Sequence, residues 1–550
     1  MHYPGERFYP EGVRWDEPIE TGLVPELLEE AARRFGDRPA IEFRAGRISY
    51  RDLSDKAAQA AAAYLRDGLG RDTTIGLFLG NTPDHPINFF GALKAGARIV
   101  HLSPLDGEIT LKHKLTDSDA RVVVTSNLSS IFPRALAFLD AGVIDRIIVC
   151  EDDVWGESEN KLVSYARRPE IVTYSDFTAG ASLPAAWPAL DRDDVALLQY
   201  TGGTTGLPKG AMLTHRNLTA AVSIREIWTR SFRAKRKAPE RVICALPLFH
   251  IYALTLILMK RLRYGDLISL HQRFDLDEIM RDIEVNRATV FPGVPTMWIA
   301  VTSLRDLDRR DLSSLALCSS GGAPLPVEVA AILERKTGLR LRSGWGMTET
   351  SSPGTTHPSD GPDKPASIGL MLPGIEIAIV AQDDPHRVLP IGEVGELIIR
   401  GPNVTRGYWK REAERSEWFI GDRFLTGDIG YMDADGWFYL VDRKKDLIIS
   451  GGFNVYPQLI EQAIYTHPDV HEVMVIGIPD QYRGEAAKAY ITLRPGAAPF
   501  EIDDLRTFLS GKIGKHELPS ALDFVEDLPR TNVGKLSRQA LRDRLSSRSA

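Results

Sequence analysis

Short β-branched runs alternate with helix-like segments along the amino-terminal part of this 550-residue chain. The clearest runs are residues 74–79, 97–102, 122–125 and 146–150. Strands that are joined by crossover helices usually pair in parallel, with the helices covering the faces of the sheet. The pattern therefore predicts an α/β fold, mixed α+β in its details, that is built from layered subdomains.

The chain is too long for a single folding unit, because hydrophobic cores stop growing at about 250 to 300 residues. Its carboxy-terminal part repeats the mixture of strands and helices on a smaller scale. Strands are predicted there at 473–478 and 489–493, and a helix at 502–513. We place a domain boundary near Asp442, which predicts a large amino-terminal domain and a small carboxy-terminal α+β domain.

Charge and hydrophobicity exclude several classes of protein. The formal net charge is −7, whereas proteins that bind nucleic acid usually carry a basic stripe. Three widely spaced cysteines lack metal or redox spacing and indicate a reducing compartment. The amino terminus does not resemble a secretory signal, and the apolar run 252–259 is far shorter than the ~20 residues that span a bilayer. We expect a cytoplasmic protein without nucleic-acid partners or a transmembrane segment. Peripheral membrane contact stays open, as does the choice between monomer and homodimer.

The strongest local motif is YTGGTTGLPKGAMLTH at residues 200–215. Its glycines let backbone N–H groups approach an anion, its threonine hydroxyls can donate to phosphate oxygens, and Lys209 can neutralise charge. The run is not a Walker A loop, because Gly206 is followed by Leu207, Pro208 and Lys209. A flexible surface turn is the alternative, but the density of glycine, threonine and lysine favours a phosphate-binding loop.

A second cluster is GWGMTET at residues 344–350. Trp345 can stack on a base, Thr348 can reach a phosphate, and Glu349 can hold magnesium, which prefers hard oxygen ligands. Taken alone, a glutamate after a threonine is more typical of a helix amino terminus.

Three further clusters follow towards the carboxyl terminus. They are TGD at 426–428, DRKKD at 442–446 with Gly451 and Gly452 beyond it, and PRTNVGKLSR at 529–538. A carboxylate such as Asp428 can accept hydrogen bonds from both hydroxyls of a ribose. Each cluster alone suits an ordinary turn or a solvated charged segment, so the argument depends on their occurring together.

In their order, the five clusters resemble those of the adenylate-forming superfamily, which includes acyl- and aryl-CoA synthetases, beetle luciferases and peptide-synthetase adenylation domains. The resemblance runs from about Leu23 to about Arg544. It implies a large domain at 1–441, a hinge at 442–446 and a small mobile domain at 447–550. It also implies an enzyme that uses ATP and Mg²⁺ to activate a carboxylic acid as an acyl-adenylate and then transfers the acyl group to coenzyme A.

The resemblance implies a role for individual residues. The glycine and threonine loop would embrace the pyrophosphate of ATP, Trp345 would pack on adenine, Thr348 would touch the α-phosphate and Glu349 would hold Mg²⁺, while Asp428 and Arg443 would hold the ribose. The residues expected to bind the nucleotide or the co-substrates are Thr201, Gly202, Gly203, Thr204, Thr205, Gly206, Lys209, Gly321, Gly322, Ala323, Gly344, Trp345, Gly346, Met347, Asp428, Arg443, Gly451 and Gly452.

Family members perform their two half-reactions in two poses of the small domain. Lys535 resembles the lysine that bridges the substrate carboxylate and the α-phosphate during adenylation. The hinge residue that this resemblance implies is Lys445. Rotation there would withdraw Lys535 and bring Gly451 and Gly452 towards the CoA thiol.

The acyl pocket is expected near His250 and near the loop 321–323, which match family positions close to the carboxylate. Peptide-synthetase domains usually carry an aspartate shortly after a phenylalanine in this pocket, whereas here His250 follows Phe249. An amino-acid substrate is therefore disfavoured. The YTGGTTG form and the segment ISGGFNVYP look most like bacterial medium- and long-chain fatty acid CoA ligases. Leu459 departs from that family, which often has a glutamate there, and this puts one helix contact in doubt.

Other hypotheses about the substrate and the function stay open. The acid could instead be aromatic or dicarboxylic, or the acceptor could differ from CoA. A dicarboxylate needs a cation at the far end of the pocket, because a buried unpaired carboxylate is costly. The segment 225–236 offers several arginines, but the sequence alone places none of them in the pocket. A nucleotide-binding regulator without catalysis is disfavoured by the presence of both Glu349 and Lys535.

Overall fold

The computed structural model describes residues 3–201, 207–450, 453–531 and 535–549. The helices in this part of the chain are α1 (Val24–Phe35), α2 (Tyr50–Arg66), α3 (Asp84–Lys94), α4 (Glu108–Asp117), α5 (Phe132–Asp140), α6 (Tyr174–Thr178), α7 (His215–Ala234), α8 (Lys260–Tyr264), α9 (Leu276–Glu284), α10 (Pro295–Thr302), α11 (Val327–Thr337), α12 (Pro457–Tyr465), α13 (Ile502–Leu509) and α14 (Arg538–Ser549). The strands are β1 (Pro39–Phe43), β2 (Gly46–Ser49), β3 (Thr74–Phe78), β4 (Arg98–His101), β5 (Ala120–Ser126), β6 (Arg146–Cys150), β7 (Ile171–Thr173), β8 (Val195–Thr201), β9 (Lys209–Thr214), β10 (Arg241–Cys244), β11 (Leu267–Leu270), β12 (Val290–Gly293), β13 (Leu317–Ser320), β14 (Leu341–Trp345), β15 (Thr355–Thr356), β16 (Leu370–Met371), β17 (Glu376–Val380), β18 (Gly395–Arg400), β19 (Phe419–Ile420), β20 (Arg423–Met432), β21 (Phe438–Arg443), β22 (Ile448–Ser450), β23 (Phe453–Val455), β24 (Val470–Asp480), β25 (Gly484–Leu493) and β26 (Ala521–Phe524).

One sheet of the amino-terminal part has the strand order β7-β6-β5-β3-β4-β8-β9. Its neighbours from β7 to β8 pair in parallel, and β9 forms an antiparallel pair with β8. The four predicted β-branched runs are β3, β4, β5 and β6, so the prediction of parallel strands in an α/β fold is confirmed. The pair formed by β8 and β9 places Thr201 opposite Lys209.

A second sheet has the order β16-β15-β14-β13-β12-β10-β11-β1-β2. Its central strands, from β14 to β1, pair in parallel, and antiparallel strands lie at both edges. Ligands of open α/β sheets bind beyond the carboxyl ends of the parallel strands. Gly321 directly follows β13 and Trp345 ends β14, so both residues lie at such ends.

Two antiparallel-rich sheets complete the fold. In the first, β17-β18-β20-β19, strand β21 pairs with β20 and places Arg443 opposite Asp428. In the second, β23-β22-β25-β24 with β26 beside β25, apolar residues of α12 and α13 cover the strands. A large mixed α/β part followed by a small α+β domain is therefore confirmed. The exact boundary near Asp442 stays a prediction; β21 ends at Arg443, and the next strand, β22, belongs to the small sheet.

The helix predicted at 502–513 is shorter than expected, because α13 ends at Leu509. Ser510 has an extended backbone and bridges to Ile513. Gly511 has a φ of 78°, a left-handed conformation that interrupts a helix and that glycine adopts at little cost. The apolar periodicity of the sequence continues past this glycine, and for this reason the predicted helix extends four residues beyond the observed end of α13.

The apolar run near residue 255 forms the wall of a cavity, as its composition indicated. It is a π-helical segment, Ala253–Met259, in which every residue except Leu256 is buried in the protein core. Leu256 faces the cavity described below. Among the described residues, no helix is both long and apolar enough to cross a membrane.

Candidate active site

A cavity of about 1260 Å³ collects most of the residues that the sequence singled out. Those that line it are Thr201, Lys209, His250, Gly321, Gly322, Ala323, Gly344, Trp345, Gly346, Met347, Thr348, Glu349, Asp428, Arg443, Lys445 and Lys535. The remaining predicted residues, Gly202, Gly203, Thr204, Thr205, Gly206, Gly451 and Gly452, lie outside the described residues. Segments far apart in the sequence therefore meet around one space.

The middle of the cavity is organised by Asp428, which is 1% exposed. Trp345 Nε1 donates a hydrogen bond to Asp428 Oδ2 at 2.7 Å, and Arg443 Nε lies 2.7 Å from Asp428 Oδ1. Each carboxylate oxygen can accept a further hydrogen bond. Asp428 thus holds the tryptophan and the arginine in place and keeps the capacity to bind hydroxyl groups.

The turn after Trp345 is unusually tight. A Cβ on Gly346 would collide with the backbone carbonyl of Ser352, and a Cβ on Gly354 would collide with the Trp345 ring. Ser351 and Ser352 have φ values of 52° and 100°, which L residues rarely adopt. This close wrapping requires glycine at 346 and fixes the ring of Trp345 at the cavity wall.

Glu349 is a buried carboxylate with one oxygen engaged. Tyr408 Oη donates to Glu349 Oε1 at 2.6 Å, and the backbone N–H of Thr405 donates to the Glu349 carbonyl at 2.7 Å. Burial raises the pKa of the Glu349 carboxyl above its ordinary value, and the Tyr408 hydrogen bond opposes this shift. Sequence reasoning missed Tyr408; the only signal was a tyrosine in a glycine-flanked loop.

The donors around Glu349 suit a magnesium ion. Mg²⁺ is usually held by one or two carboxylates together with phosphate oxygens and water, and Glu349 lines the cavity beside Thr348. No group of three or more histidine, cysteine, aspartate or glutamate side chains that could hold a metal occurs in the described part of the chain. Glu349 can therefore supply a hard oxygen ligand here, and phosphate oxygens and water would supply others.

Lys209 lies at the other side of this region. Its Nζ is 4.2 Å from the centre of the Trp418 ring and 4.0 Å from Glu414 Oε2. A cation over an aromatic face is stabilised by the ring quadrupole. Lys209 is thus held at the start of β9, next to the predicted phosphate loop.

Lys535 reaches the cavity from the carboxy-terminal domain. Its Cε would be 2.9 Å and its Nζ 3.2 Å from a Cβ on Gly322. Loss of hydration and, to a smaller extent, the positive charge of Arg443 together lower the pKa of the Lys535 ammonium to about 8, and Asp428 opposes the shift. The side chain therefore lies between the loop after β13 and the pair formed by Asp428 and Arg443.

The segment that carries Lys535 is tied down by Arg538, which sequence reasoning did not select. Arg538 Nη2 lies 2.7 Å from Glu461 Oε2, and Nη1 lies 3.2 Å from Asp442 Oδ1 and 3.4 Å from Asp446 Oδ2. Asp442 also accepts a hydrogen bond from the backbone N–H of Gln458 at 2.8 Å. The predicted hinge segment is thus linked to the small domain by a buried network of charges.

His250 is a neutral residue of the cavity wall. Burial lowers the pKa of its imidazole to about 3, and the nearby charge of Lys535 contributes to the shift. Its Nδ1 accepts a hydrogen bond from the backbone N–H of Tyr252 at 3.3 Å. A neutral imidazole can orient a carboxylate but does not supply a positive charge to it.

The cavity continues beyond His250 along the π-helical segment. Tyr252, Leu256, Ile299 and Leu325 line this part together with other apolar residues. Arg225, Lys260 and Arg261 line it as well. The structure therefore places one arginine of the segment 225–236 at the cavity wall, together with two cations that the sequence had not indicated.

Comparison with known proteins agrees with this architecture. Residues 28–409 match the family model described as AMP-binding enzyme, and residues 459–535 match the AMP-binding enzyme C-terminal domain. The chain belongs to the AMP-binding enzyme family, and within it to the adenylate-forming acid:CoA ligases.

Three similar proteins illustrate the range of that family. A long-chain-fatty-acid–CoA ligase of Bacillus subtilis is 34% identical over 548 residues, which covers 97% of this chain and 96% of the relative. The ATP-bound structure of MatB from Rhodopseudomonas palustris has a TM-score of 0.84 at 29% identity and covers 96% of this chain and 100% of that one. O-succinylbenzoate coenzyme A synthetase (MenE) from Bacillus subtilis, in complex with ATP and magnesium, has a TM-score of 0.78 at 26% identity, with 94% and 99% covered.

Proposed function

We propose that the chain converts a medium- or long-chain fatty acid, ATP and coenzyme A into acyl-CoA, AMP and pyrophosphate by way of an acyl-adenylate. One observation carries the proposal: Lys535 lies against Gly322 in the cavity that Glu349, Asp428 and Arg443 also line. An ammonium group in this place can pair with a carboxylate and with the α-phosphate as charge develops between them.

In the first half-reaction, an oxygen of the acid's carboxylate attacks the α-phosphorus of ATP. The bond from that phosphorus to the bridging oxygen breaks, and pyrophosphate leaves. Lys535 would hold the carboxylate and the α-phosphate together, and Thr348 would donate to an α-phosphate oxygen. Magnesium held by Glu349 would neutralise negative charge on the phosphates.

The nucleotide would be held by the groups in the middle of the cavity. Trp345 would pack on adenine, and Asp428 would accept hydrogen bonds from the ribose hydroxyls while Arg443 holds its carboxylate in place. Thr201 and Lys209 flank the predicted phosphate loop and would contact the leaving pyrophosphate.

In the second half-reaction, the CoA thiolate attacks the acyl carbonyl and AMP leaves. We expect the small domain, residues 447–550, to rotate relative to residues 1–441 about Lys445 in the hinge 442–446. Lys535 would leave the cavity, and the segment with Gly451 and Gly452 would approach the thiol. The contact between Arg538 and Asp442 spans this hinge, so it would be exchanged during the rotation.

The apolar wall supports an aliphatic acyl chain. Leu256, Ile299 and Leu325 line the cavity beyond His250, and each buried methylene contributes about 0.8 kcal/mol. Several relatives that match nearly the whole chain are named long-chain-fatty-acid–CoA ligases. We therefore expect aliphatic acids of about eight or more carbons to exceed acetate in kcat/KM.

A substrate panel tests the proposal. AMP release would be measured with and without CoA for acetate, octanoate, dodecanoate, hexadecanoate, benzoate and an amino acid. We expect CoA-dependent AMP release to be fastest with the longer aliphatic acids. A clear preference for acetate, benzoate or the amino acid would contradict the proposed substrate.

A further inference from the structure

Three cationic side chains line the acyl end of the cavity: Arg225, Lys260 and Arg261. Arg225 lies on α7, Lys260 is the first residue of α8, and Arg261 follows it. Lys260 and Arg261 are only 2% and 6% exposed. Charged groups are almost never buried to this degree without a partner, so the cluster is expected to serve a function.

The protein itself leaves much of this charge without a partner. Within the described residues, neither the Arg225 guanidinium nor the Lys260 ammonium has a hydrogen-bonding or ion-pairing partner, and the Nε atoms of Arg225 and Arg261 are buried without one. Arg261 Nη1 lies 3.3 Å from Asp266 Oδ2. The cluster thus has more positive charge than the surrounding side chains satisfy.

The nearby carboxylates are already engaged. Asp266 also pairs with Arg233 and accepts a hydrogen bond from the backbone N–H of Glu240 at 3.0 Å, and Glu226 lies 2.7 Å from Arg263 Nε. Neither carboxylate contributes to the lining of the cavity. Asp266 and Glu226 act on Lys260 electrostatically without forming an ion pair with it, so a carboxylate in direct contact with Arg225 or Lys260 would have to enter from the cavity.

Within the cavity the cluster is separated from Lys535, and neither acts on the charge of the other. Tyr252 lies between the cluster and Lys535. Its ring would be 3.0 Å from a Cβ on Gly321, beside the Lys535 site. At its other end, the positive charges of Arg225 and Arg261 oppose the rise that burial causes in the pKa of the Tyr252 hydroxyl. The charges that act on Lys535 are those of Arg443 and Asp428. The cavity thus offers one cation for a reacting carboxylate and a separate group of cations farther along.

We infer that this cluster binds a second anionic group at the far end of the acyl chain, so that the preferred substrate is an aliphatic α,ω-dicarboxylic acid. Lys535 would receive the carboxylate that is adenylated, and Arg225 with Lys260 would receive the other one. The inference rests on the proposed acid:CoA ligase function and specifies its substrate class.

The length of the space favours a medium-chain diacid. Even with the rise of an α-helix, about 1.5 Å per residue, the segment from His250 to Lys260 would be roughly 15 Å long at most. The long side chains of Arg225 and Lys260 extend into the cavity and shorten the gap. Leu256 and Ile299 supply the apolar wall between the two charged ends.

The energetics of the cluster agree with this assignment. Burial and the like charges of Arg261 and Arg225 lower the pKa of the Lys260 ammonium well below its ordinary value, and burial lowers the pKa of Arg225 to about 10. Both shifts express the unfavourable free energy of positive charge held together out of water. A bound carboxylate would relieve it and would form charge-assisted hydrogen bonds.

Matched pairs of acids test the inference in the intact protein. The value of kcat/KM for CoA-dependent AMP release would be compared for octanoate with octanedioate and for dodecanoate with dodecanedioate. We expect at least one diacid to exceed its monoacid by about tenfold or more, because a site built for a polar group rejects analogues that leave it unpaired. Equal or better use of both monoacids would overturn the inference.

Variants of the cluster provide the second arm. Arg225→Leu and Lys260→Met should each lower kcat/KM for the preferred diacid by about tenfold or more, while octanoate turnover is retained or increased. Octanoate turnover also reports that the variant is folded, and either variant suffices if the other does not fold. Lys237→Met, an exposed lysine just beyond α7, is the control and should change neither substrate. An equal loss for both acids would contradict a role in binding the distal group.

A third arm reverses the charge. Arg225→Glu should weaken use of the diacid and favour 8-aminooctanoate over octanedioate, and failure to shift this preference would contradict the inference. Faster use of octanoate and dodecanoate than of either diacid by the unmodified protein would overturn the inference while leaving the proposed function intact. Absence of CoA-dependent AMP release with every aliphatic acid would instead overturn the proposed function itself.

Discussion

Lys535 and Gly322 come together although more than two hundred residues separate them in the chain: the lysine Cε would be 2.9 Å from a Cβ on the glycine. Gly322 has a φ of 83°, so it provides both space and a left-handed backbone at the end of β13. The contact brings the predicted bridging lysine of the carboxy-terminal domain to the loop that lines the acyl site.

Gly322→Ala should therefore weaken adenylation. The added methyl group would displace the Lys535 side chain, and the positive φ would be strained by a Cβ. We expect acid-dependent exchange of pyrophosphate into ATP to fall by about tenfold or more, roughly 1.4 kcal/mol in the barrier. Gly12→Ala is the matched control, since Gly12 has a φ of 71° with open space around its Cβ position; a similar loss there would show that strain alone is responsible.

Lys535→Ala and Lys445→Pro should affect opposite half-reactions. Removing the Lys535 ammonium should reduce acyl-adenylate formation strongly and spare transfer to CoA from supplied acyl-adenylate. Proline at 445 fixes φ near about −65° and restricts residue 444, so it should block the rotation and spare adenylation. Lys515→Ala, an exposed lysine of the same domain, serves as the control. Equal loss of both half-reactions in both folded variants would contradict domain alternation.

The pH dependence of adenylation should report Lys535. Its active form is the protonated ammonium, and its pKa is lowered to about 8 by burial and by Arg443. The value of kcat/KM for acyl-adenylate formation should therefore be highest below about pH 8 and fall as pH rises through that value. Burial lowers the pKa of the His250 imidazole to about 3, so His250 stays neutral over this range.

Lys535→Arg provides the check on that assignment, because arginine stays protonated at all accessible pH values. The kcat/KM of this variant for acyl-adenylate formation, whether high or low, should not fall as pH rises through about 8. A decline that persists unchanged in this variant would assign the titration to another group.

Glu349→Gln should reduce pyrophosphate release by more than about tenfold, or roughly 1.4 kcal/mol, while the protein remains folded. Glutamine can still accept the Tyr408 hydrogen bond but lacks the charge that holds magnesium. Tyr408→Phe should cost less and should raise the magnesium concentration needed for half-maximal rate, because Tyr408 only positions the carboxylate. A loss smaller than about tenfold in Glu349→Gln would contradict the magnesium assignment.

Four of the seven strands of the first sheet, β3 to β6, could be predicted because each is a short β-branched run between helical patterns. The end of α13 could not, because apolar periodicity does not register the conformation of Gly511. Within the cavity, the residues found in advance were those in dense local motifs, such as Trp345 and Glu349.

The residues that were missed lack such a motif. Tyr408, Arg538 and Lys260 are distant in sequence from the residues that they contact or lie beside in the site. Only the folded chain shows these surroundings. Arg225 lay in a segment whose arginines were considered for the pocket, yet the choice among them depends on which face of α7 turns inward. A sequence pattern alone does not give that orientation relative to the cavity.

The most direct test of the central claim, that the chain activates a carboxylic acid as an acyl-adenylate, follows an isotope. The acid with the highest turnover would be prepared with ¹⁸O in its carboxylate and incubated with ATP, Mg²⁺ and CoA, and the products would be examined by mass spectrometry. The account predicts one ¹⁸O atom in AMP for each acyl-CoA formed, because a carboxylate oxygen remains on the α-phosphorus when CoA displaces it. Formation of ADP with the label in inorganic phosphate, or of AMP without label, would contradict the account.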